Sequence, residues 1–166
     1  MEIRKLLEEF SEEIIKDFVQ KNSDYYLAKW RLLASKNSKI SWNWSAFLFG
    51  VMWLGYRKMY LYSFIFVLLT IFTIIPILGL FISLALWIGL GMIGNYLYGK
   101  FTYNKLTELK IAFPEESKFQ EEVLKAGGTS VLGSFIALFI AIFVWIIIML
   151  LINALVMHQP YSYTNF

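Results

Sequence analysis

Residues 60–98 read YLYSFIFVLLTIFTIIPILGLFISLALWIGLGMIGNYLY, without one charged side chain. As a single straight helix the stretch would extend roughly 60 Å, against a bilayer hydrocarbon thickness of about 30 Å. A chain that long and that apolar has to turn back on itself. Punctuation near the middle comes from Pro76 and Gly79. Proline lacks the amide that would continue a helix, and glycine accepts the backbone angles of a tight turn. The spacing predicts a hairpin within a membrane unit covering 59–98. Its two spans are Tyr60 to Ile75 and Leu78 to Tyr98, with an apolar turn at the far interface.

Charge returns on both sides of the hairpin. Downstream, residues 99–128 carry five Lys and five Glu and read as a loop in water. Within it Pro114-Glu115-Glu116 marks the first turn of a helix, where the missing proline amide costs nothing and acids meet the positive end of the helix dipole. Gly127-Gly128 ends that helix. Thr129 or Ser130 then caps a last apolar run, 129–157, which at about 40 Å is long enough to cross with tilt or to protrude. Residues 158–166 form a polar and aromatic tail.

Upstream, residues 42–58 are rich in aromatics, but their strictly apolar part would cover only about 15 Å as a helix, half a hydrocarbon core. Closed by Arg57 and Lys58, and holding Trp and Tyr that favour the headgroup region, this segment reads as one interfacial or re-entrant helix. Its Ala46 and Gly50 leave a groove for another helix. Residues 1–41 precede it. Ile3, Leu7, Phe10, Ile14 and Phe18 at helical spacing predict one amphipathic helix over Met1 to Gln20. Asn22 or Ser23 is expected to cap a second helix through its side chain, with Tyr26, Trp30 and Leu33 on one face.

Of 166 residues, 58% are hydrophobic and 16% charged, and the mean hydropathy is +0.59, too apolar for a globule solvated by water alone. The chain has no Cys and one His, His158. That composition excludes disulfides, thiol chemistry and a cysteine or histidine metal cluster, so neither metal nor cofactor is expected. Six acids within Met1 to Asn22 argue against a secretory signal and for retention of this segment. A net charge of +3 is too small for a nucleic-acid footprint. The distribution of charge says more, because every Lys, Arg, Asp and Glu precedes Gly127. Three spans place all of them on one side, and the excess of Lys and Arg beside the spans marks that side as cytoplasmic, with the tail external. The rival reading, with Trp42 to Tyr56 as a full span, strands Arg57, Lys58 and the lysines of the middle loop outside.

Tyr25-Tyr26 with Lys29-Trp30, then Ser41-Trp42-Asn43-Trp44-Ser45-Ala46-Phe47-Leu48-Phe49-Gly50, Trp53 and Tyr56-Arg57-Lys58-Met59-Tyr60 form a pattern that resembles the family called domain of unknown function 2628. Asn95-Tyr96-Leu97-Tyr98 and Gly127-Gly128-Thr129-Ser130 are similar to it too, so the likeness runs from Asn22 to Ser130. The family commonly places Pro after the Phe-Gly pair. Here Val51 stands there, and the proline that would kink the chain is missing. The resemblance implies a small protein of the bacterial inner membrane without a settled activity.

Patterns that carry chemistry elsewhere have plainer readings here. Gly89-Leu90-Gly91-Met92-Ile93-Gly94 spells a dinucleotide fingerprint, yet that motif needs a strand before it and an acid about 20 residues later. Gly89, Gly91 and Gly94 suit close packing of spans instead. Gly133, Ala137 and Ala141 form a matching ridge on the last span, expected to pack against the hairpin or a second copy. Glu8 with Glu12, and Glu121 with Glu122, read as solvated helix faces. His158 would be separated by the membrane from every acid, which excludes a Ser-His-acid triad within one chain. Asn43-Trp44-Ser45 fits a glycosylation pattern but lies too near the bilayer for use. The polar groups of the spans are Thr70, Thr73, Ser83, Asn95, Ser134 and Asn153, with no ionisable carrier among them.

The distinctive surface is a collar of Trp42, Asn43, Trp44, Tyr56, Arg57, Lys58 and Tyr60. Aromatics suit headgroup depth, and cations meet anionic lipid at about 1 kcal/mol each. Asn43 and Arg57-Lys58 are expected to hold lipid phosphates or the acidic groups of a cytoplasmic protein partner. The expectation is therefore an all-α polytopic membrane protein with three transmembrane helices, an interfacial or re-entrant aromatic helix and N-terminal amphipathic helices. Its expected role is that of a non-enzymatic scaffold or adaptor that can form a homo-oligomer. The alternative is a small subunit of an oligomeric transporter or channel.

Overall fold

The computed structural model describes residues 2–157, most of them helical, with no strand among the described residues. The tail 158–166, with His158, lies outside the described residues. In chain order the elements are α1 (Glu2–Glu9), α2 (Glu12–Val19), α3 (Ser23–Ser35), α4 (Trp44–Phe49), α5 (Val51–Tyr56) and α6 (Tyr60–Leu69). A 3-10 segment (Thr70–Ile74), α7 (Leu78–Ala112), α8 (Glu116–Ala126) and α9 (Val131–Met157) complete the chain.

The N-terminal amphipathic stretch is two helices rather than one. Ser11 interrupts it, because its hydroxyl accepts from the Ile14 amide at 3.3 Å and caps α2. The apolar stripe survives the break: Ile3, Leu6, Phe10, Ile14, Ile15 and Phe18 are all buried. Asn22 makes no side-chain cap for α3. Gln20 at φ +53 and Asn22 at φ +64 reverse the chain with their backbones instead, which leaves the Asn22 side chain out of capping geometry. The aromatic segment is also divided. α4 and α5 meet at Gly50, whose φ of +50 and ψ of −119 break the helix where no proline does.

The hairpin turns at 75–77, and the Gly79 amide donates to the Ile75 carbonyl at 2.6 Å. Its first arm tightens into 3-10 winding, with Thr70 and Thr73 hydroxyls donating back to Val67 and Thr70 carbonyls at 2.6 and 2.7 Å. The two arms meet near the turn. Farther along they part around an apolar groove of ≈ 340 Å³ flanked by Ile65, Leu69, Leu86 and Gly89.

α7 does not stop at Tyr98. It runs on through Gly99 for 35 residues in all, about 52 Å, so the first part of the expected loop is helix. The physical reason is cover: α1, α2 and α3 pack around its second half. Ile3, Leu6, Phe18, Trp30 and Leu33 form a core there with Tyr98 and Leu106. α8 lies on α2 and ends at Gly127, and Ser130 caps α9 by accepting from the Gly133 amide at 2.8 Å. Two helices are long and apolar enough to cross a membrane, Leu78–Ala112 and Val131–Ala154. Only 28% and 6% of their apolar stretches are buried, whereas a core helix is mostly buried. The remaining expected span, Tyr60 to Ile75, corresponds to the shorter apolar helix Tyr60–Ile74, which does not meet that length by itself.

Candidate functional site

The aromatic and polar residues that the sequence singles out converge where α4 and α5 wedge between α7 and α9. Residues 41–43 run extended along α7, and the amides of Ser41 and Asn43 donate to the carbonyls of Met92 and Gly91, each at 2.8 Å. This approach needs small residues on α7. A Cβ on Gly94 would lie 2.8 Å from Ala46 Cβ, and one on Gly91 would lie 2.9 Å from Phe47 Cβ.

Asn95, at 0% exposure, locks the contact. Its side-chain amide donates to the Ser41 hydroxyl at 3.1 Å and the Trp42 carbonyl at 3.2 Å, and its side-chain oxygen accepts from Asn43 at 2.9 Å. The Trp30 indole donates to the Asn95 backbone carbonyl at 2.8 Å. Asn43 in turn caps α4 by accepting from the Ala46 amide at 2.9 Å. Asn43 is thus an interior residue, and its polar groups are satisfied within the fold rather than by a headgroup.

Arg57 departs further from the expected collar. It is 2% exposed. Its guanidinium lies over the rings of Tyr26, Tyr98 and Tyr56 at 4.6, 4.9 and 5.7 Å. Nη2 donates to the Lys21 carbonyl at 2.9 Å and Nη1 to the Val19 carbonyl at 3.3 Å. Nε has no acceptor, and no carboxylate pairs with the group among the described residues. Each well-placed aromatic face offers a desolvated cation about 2 kcal/mol, and burial of the ion costs several kcal/mol. Carbonyl dipoles, a tyrosine hydroxyl and ring faces, rather than an opposite charge, surround the cation.

The remaining collar residues divide between surface and seam. Trp44 and Tyr60 are 65% and 51% exposed. Trp42 is half-buried against Trp44 and Phe47, with ring centroids 5.4 and 5.0 Å away. Lys58 turns toward the C-terminal carbonyls of α8, donating to Lys125 at 3.3 Å, Ala126 at 3.4 Å and also Gly127, where the helix dipole welcomes a cation. The Tyr56 carbonyl accepts from the Ser130 amide at 2.8 Å, which ties α5 to the start of α9. A hydrogen bond from Thr129 and then one from Lys21 hold the Tyr56 hydroxyl below the usual tyrosine value.

Gly133 and Ala137 meet Gly55 of α5, with a Cβ on Gly133 only 2.6 Å from the Gly55 carbonyl. The small ridge of α9 therefore faces α5 and also meets the hairpin's first arm, where a Cβ on Gly133 would lie 3.0 Å from the Tyr60 hydroxyl, whereas Gly91 and Gly94 face α4, and the two ridges do not meet. Gly89 has open space on its bare side, and Ala141 borders an apolar groove along α9. Sequence reasoning singled out neither Asn95 as a hub nor Gly55 as a contact. The signal for both was small or polar residues inside apolar helices, which identifies a contact without identifying its partner.

Beside Arg57 the helices leave a cavity of ≈ 250 Å³. It is bounded by Tyr26 of α3, Ser45 and Phe49 of α4, Trp53 and Tyr56 of α5, and Ser134 of α9. Residues 16–111 match the model of a family described as a protein of unknown function, DUF2628. No curated protein and no solved structure matches the chain.

Proposed function

The chain belongs to the DUF2628 family, and on the structure of this member we propose that it is a non-enzymatic membrane scaffold that holds a charged helical head against the cytoplasmic face of a bacterial inner membrane. One observation carries the reading. α7 is a single helix whose first half bares Leu80, Phe81 and Leu84, while its second half is the axis of the head. Such a helix transmits position rigidly from lipid to head. The apolar surface of α9 adds Phe135, Phe139, Phe143 and Leu150, all exposed, and large apolar side chains bared together mark a surface that meets lipid or a partner.

The three-span arrangement draws support from the first arm. α6 and its 3-10 extension reach about 25 Å together, short of a hydrocarbon core of about 30 Å by an amount that local thinning absorbs. All ionic side chains then sit at one end, since α1, α2, α3 and α8 gather about the far half of α7. The head offers its partner a face rich in acids on α1 and α2.

Cysteines introduced singly at Lys118 and near the end of α9 at Ala154 test the topology with an impermeant reagent in intact cells. Reaction at 154 and not at 118 is expected, and the opposite pattern sinks the proposal. Proteoliposomes distinguish the scaffold from a transporter subunit, since the scaffold passes no ion or solute.

A further inference from the structure

We infer that the cavity beside Arg57 binds the headgroup of a glycerophospholipid of net negative charge, its phosphodiester held by the guanidinium and its acyl chains left outside. The inference rests on the membrane reading above and adds a ligand to it. Its first support is a buried cation that no carboxylate pairs with among the described residues. Arg57 is 2% exposed, borders the cavity, and meets only carbonyls, a tyrosine hydroxyl and aromatic faces, with Nε left free of any acceptor. Partial dipoles leave a buried charge in want of an anion, and the planar fork of a guanidinium suits phosphate.

The second support is the lining. Ser45, Tyr56 and Ser134 bear hydroxyls, Asn22 bears an amide, and no acid lines the cavity. An ammonium headgroup would find no carboxylate there, whereas a hydroxylated, uncharged headgroup on an anionic phosphate finds hydrogen-bond partners. Lys21 adds a second positive charge near the rim, 5.8 Å from the Tyr56 ring. Size is the third support. At ≈ 250 Å³ the cavity falls below the roughly 300–1,000 Å³ of a drug-sized ligand's pocket, so it accepts a headgroup and excludes chains. Phe49, 58% exposed at the cavity edge, gives those chains an apolar lip. Exposed Trp44 and Tyr60 place this wedge at headgroup depth.

The test is native mass spectrometry of the full chain released from micelles that contain equimolar phosphatidylglycerol and phosphatidylcholine. Wild type is expected to retain one phosphatidylglycerol in preference to phosphatidylcholine by about tenfold. Arg57→Met should abolish the preference and Arg57→Lys should keep part of it. Ser45→Phe fills the cavity from an exposed position without touching the acceptors of Arg57, and should abolish the preference at an unchanged melting temperature. Equal retention of both lipids by wild type overturns the inference. So does undiminished preference in Ser45→Phe, a result that stands even if Arg57→Met fails to fold. Excess inorganic phosphate that displaces the lipid would reassign the site to a free anion and overturn it as well. Failure of the membrane reading shows separately, as release of wild type from vesicles by alkaline carbonate.

Discussion

The two halves of α7 belong to one helix and live in opposite surroundings, the first without a charged side chain and the second with Lys100, Lys105, Glu108 and Lys110. Phe81 in the first half is 63% exposed, and Leu106 in the second is 0% exposed. Both halves form helix and both are rich in large apolar side chains, so the charges of the second half do not by themselves explain why Leu106 is buried. The difference is made by what the rest of the chain brings alongside. α1, α2 and α3 close over the second half and leave the first half to α4 and the 3-10 arm. A helix's own residues decide that it is a helix, and its neighbours decide what solvates it.

The contrast can be broken most directly by truncating one residue in each half. Leu106→Ala should cost roughly 2–5 kcal/mol in denaturant unfolding in detergent, by loss of burial and the cavity left behind. Phe81→Ala should stay within about 0.5 kcal/mol. Equal losses would erase the distinction between the halves.

The boundary between them is the Asn95 hub, and Asn95→Ala should cost about 3 kcal/mol, since the Asn43 amide loses its buried acceptor. Hydrogen exchange at Ser41 and Asn43 should rise together, and protection of both in the variant would show that the hub is not what holds this segment.

The cover over the second half can be loosened by acid. Its backbone amide, then the Tyr96 hydroxyl at 2.9 Å, and also Lys100, hold the Glu2 carboxyl down at about 2 from an ordinary 4.5. A depressed carboxylate stabilises the fold above its unfolded value and loses that contribution as pH falls through its folded value. α1 should therefore stay docked above pH 4.5 and loosen between 4.5 and about 2, read as faster exchange of α1 amides. Glu2→Gln should remove this pH dependence. The smallest effect is expected in the open half, at its turn. Ile77, β-branched and at φ +63, should give about 1 kcal/mol or less of added stability when replaced by glycine.

Much of the architecture was legible because it follows from local chemistry. Pro76 with Gly79 placed the hairpin turn, Gly127 the end of α8, and Thr129 or Ser130 the start of α9. The family pattern gathers at one junction, since Tyr26, Trp30, Asn43, Arg57, Asn95 and Tyr98 all meet there. Their burial and their partners within the fold were not legible. Arg57 and Asn43 read as a surface collar because cations and amides beside aromatics are common at an interface. A single segment cannot show that α3 and α7 fold over it.

Helicity, the apolar hairpin and the segregation of charge were determined by the sequence alone, because capping, proline geometry and hydropathy act over a few residues. Tertiary structure decided the rest: the continuation of α7 to Ala112, the break at Gly50 within a packed wedge, the partners of the glycine ridges and the burial of Arg57. Each of these depends on which distant surface supplies cover, a nonlocal free energy that no stretch of sequence carries by itself.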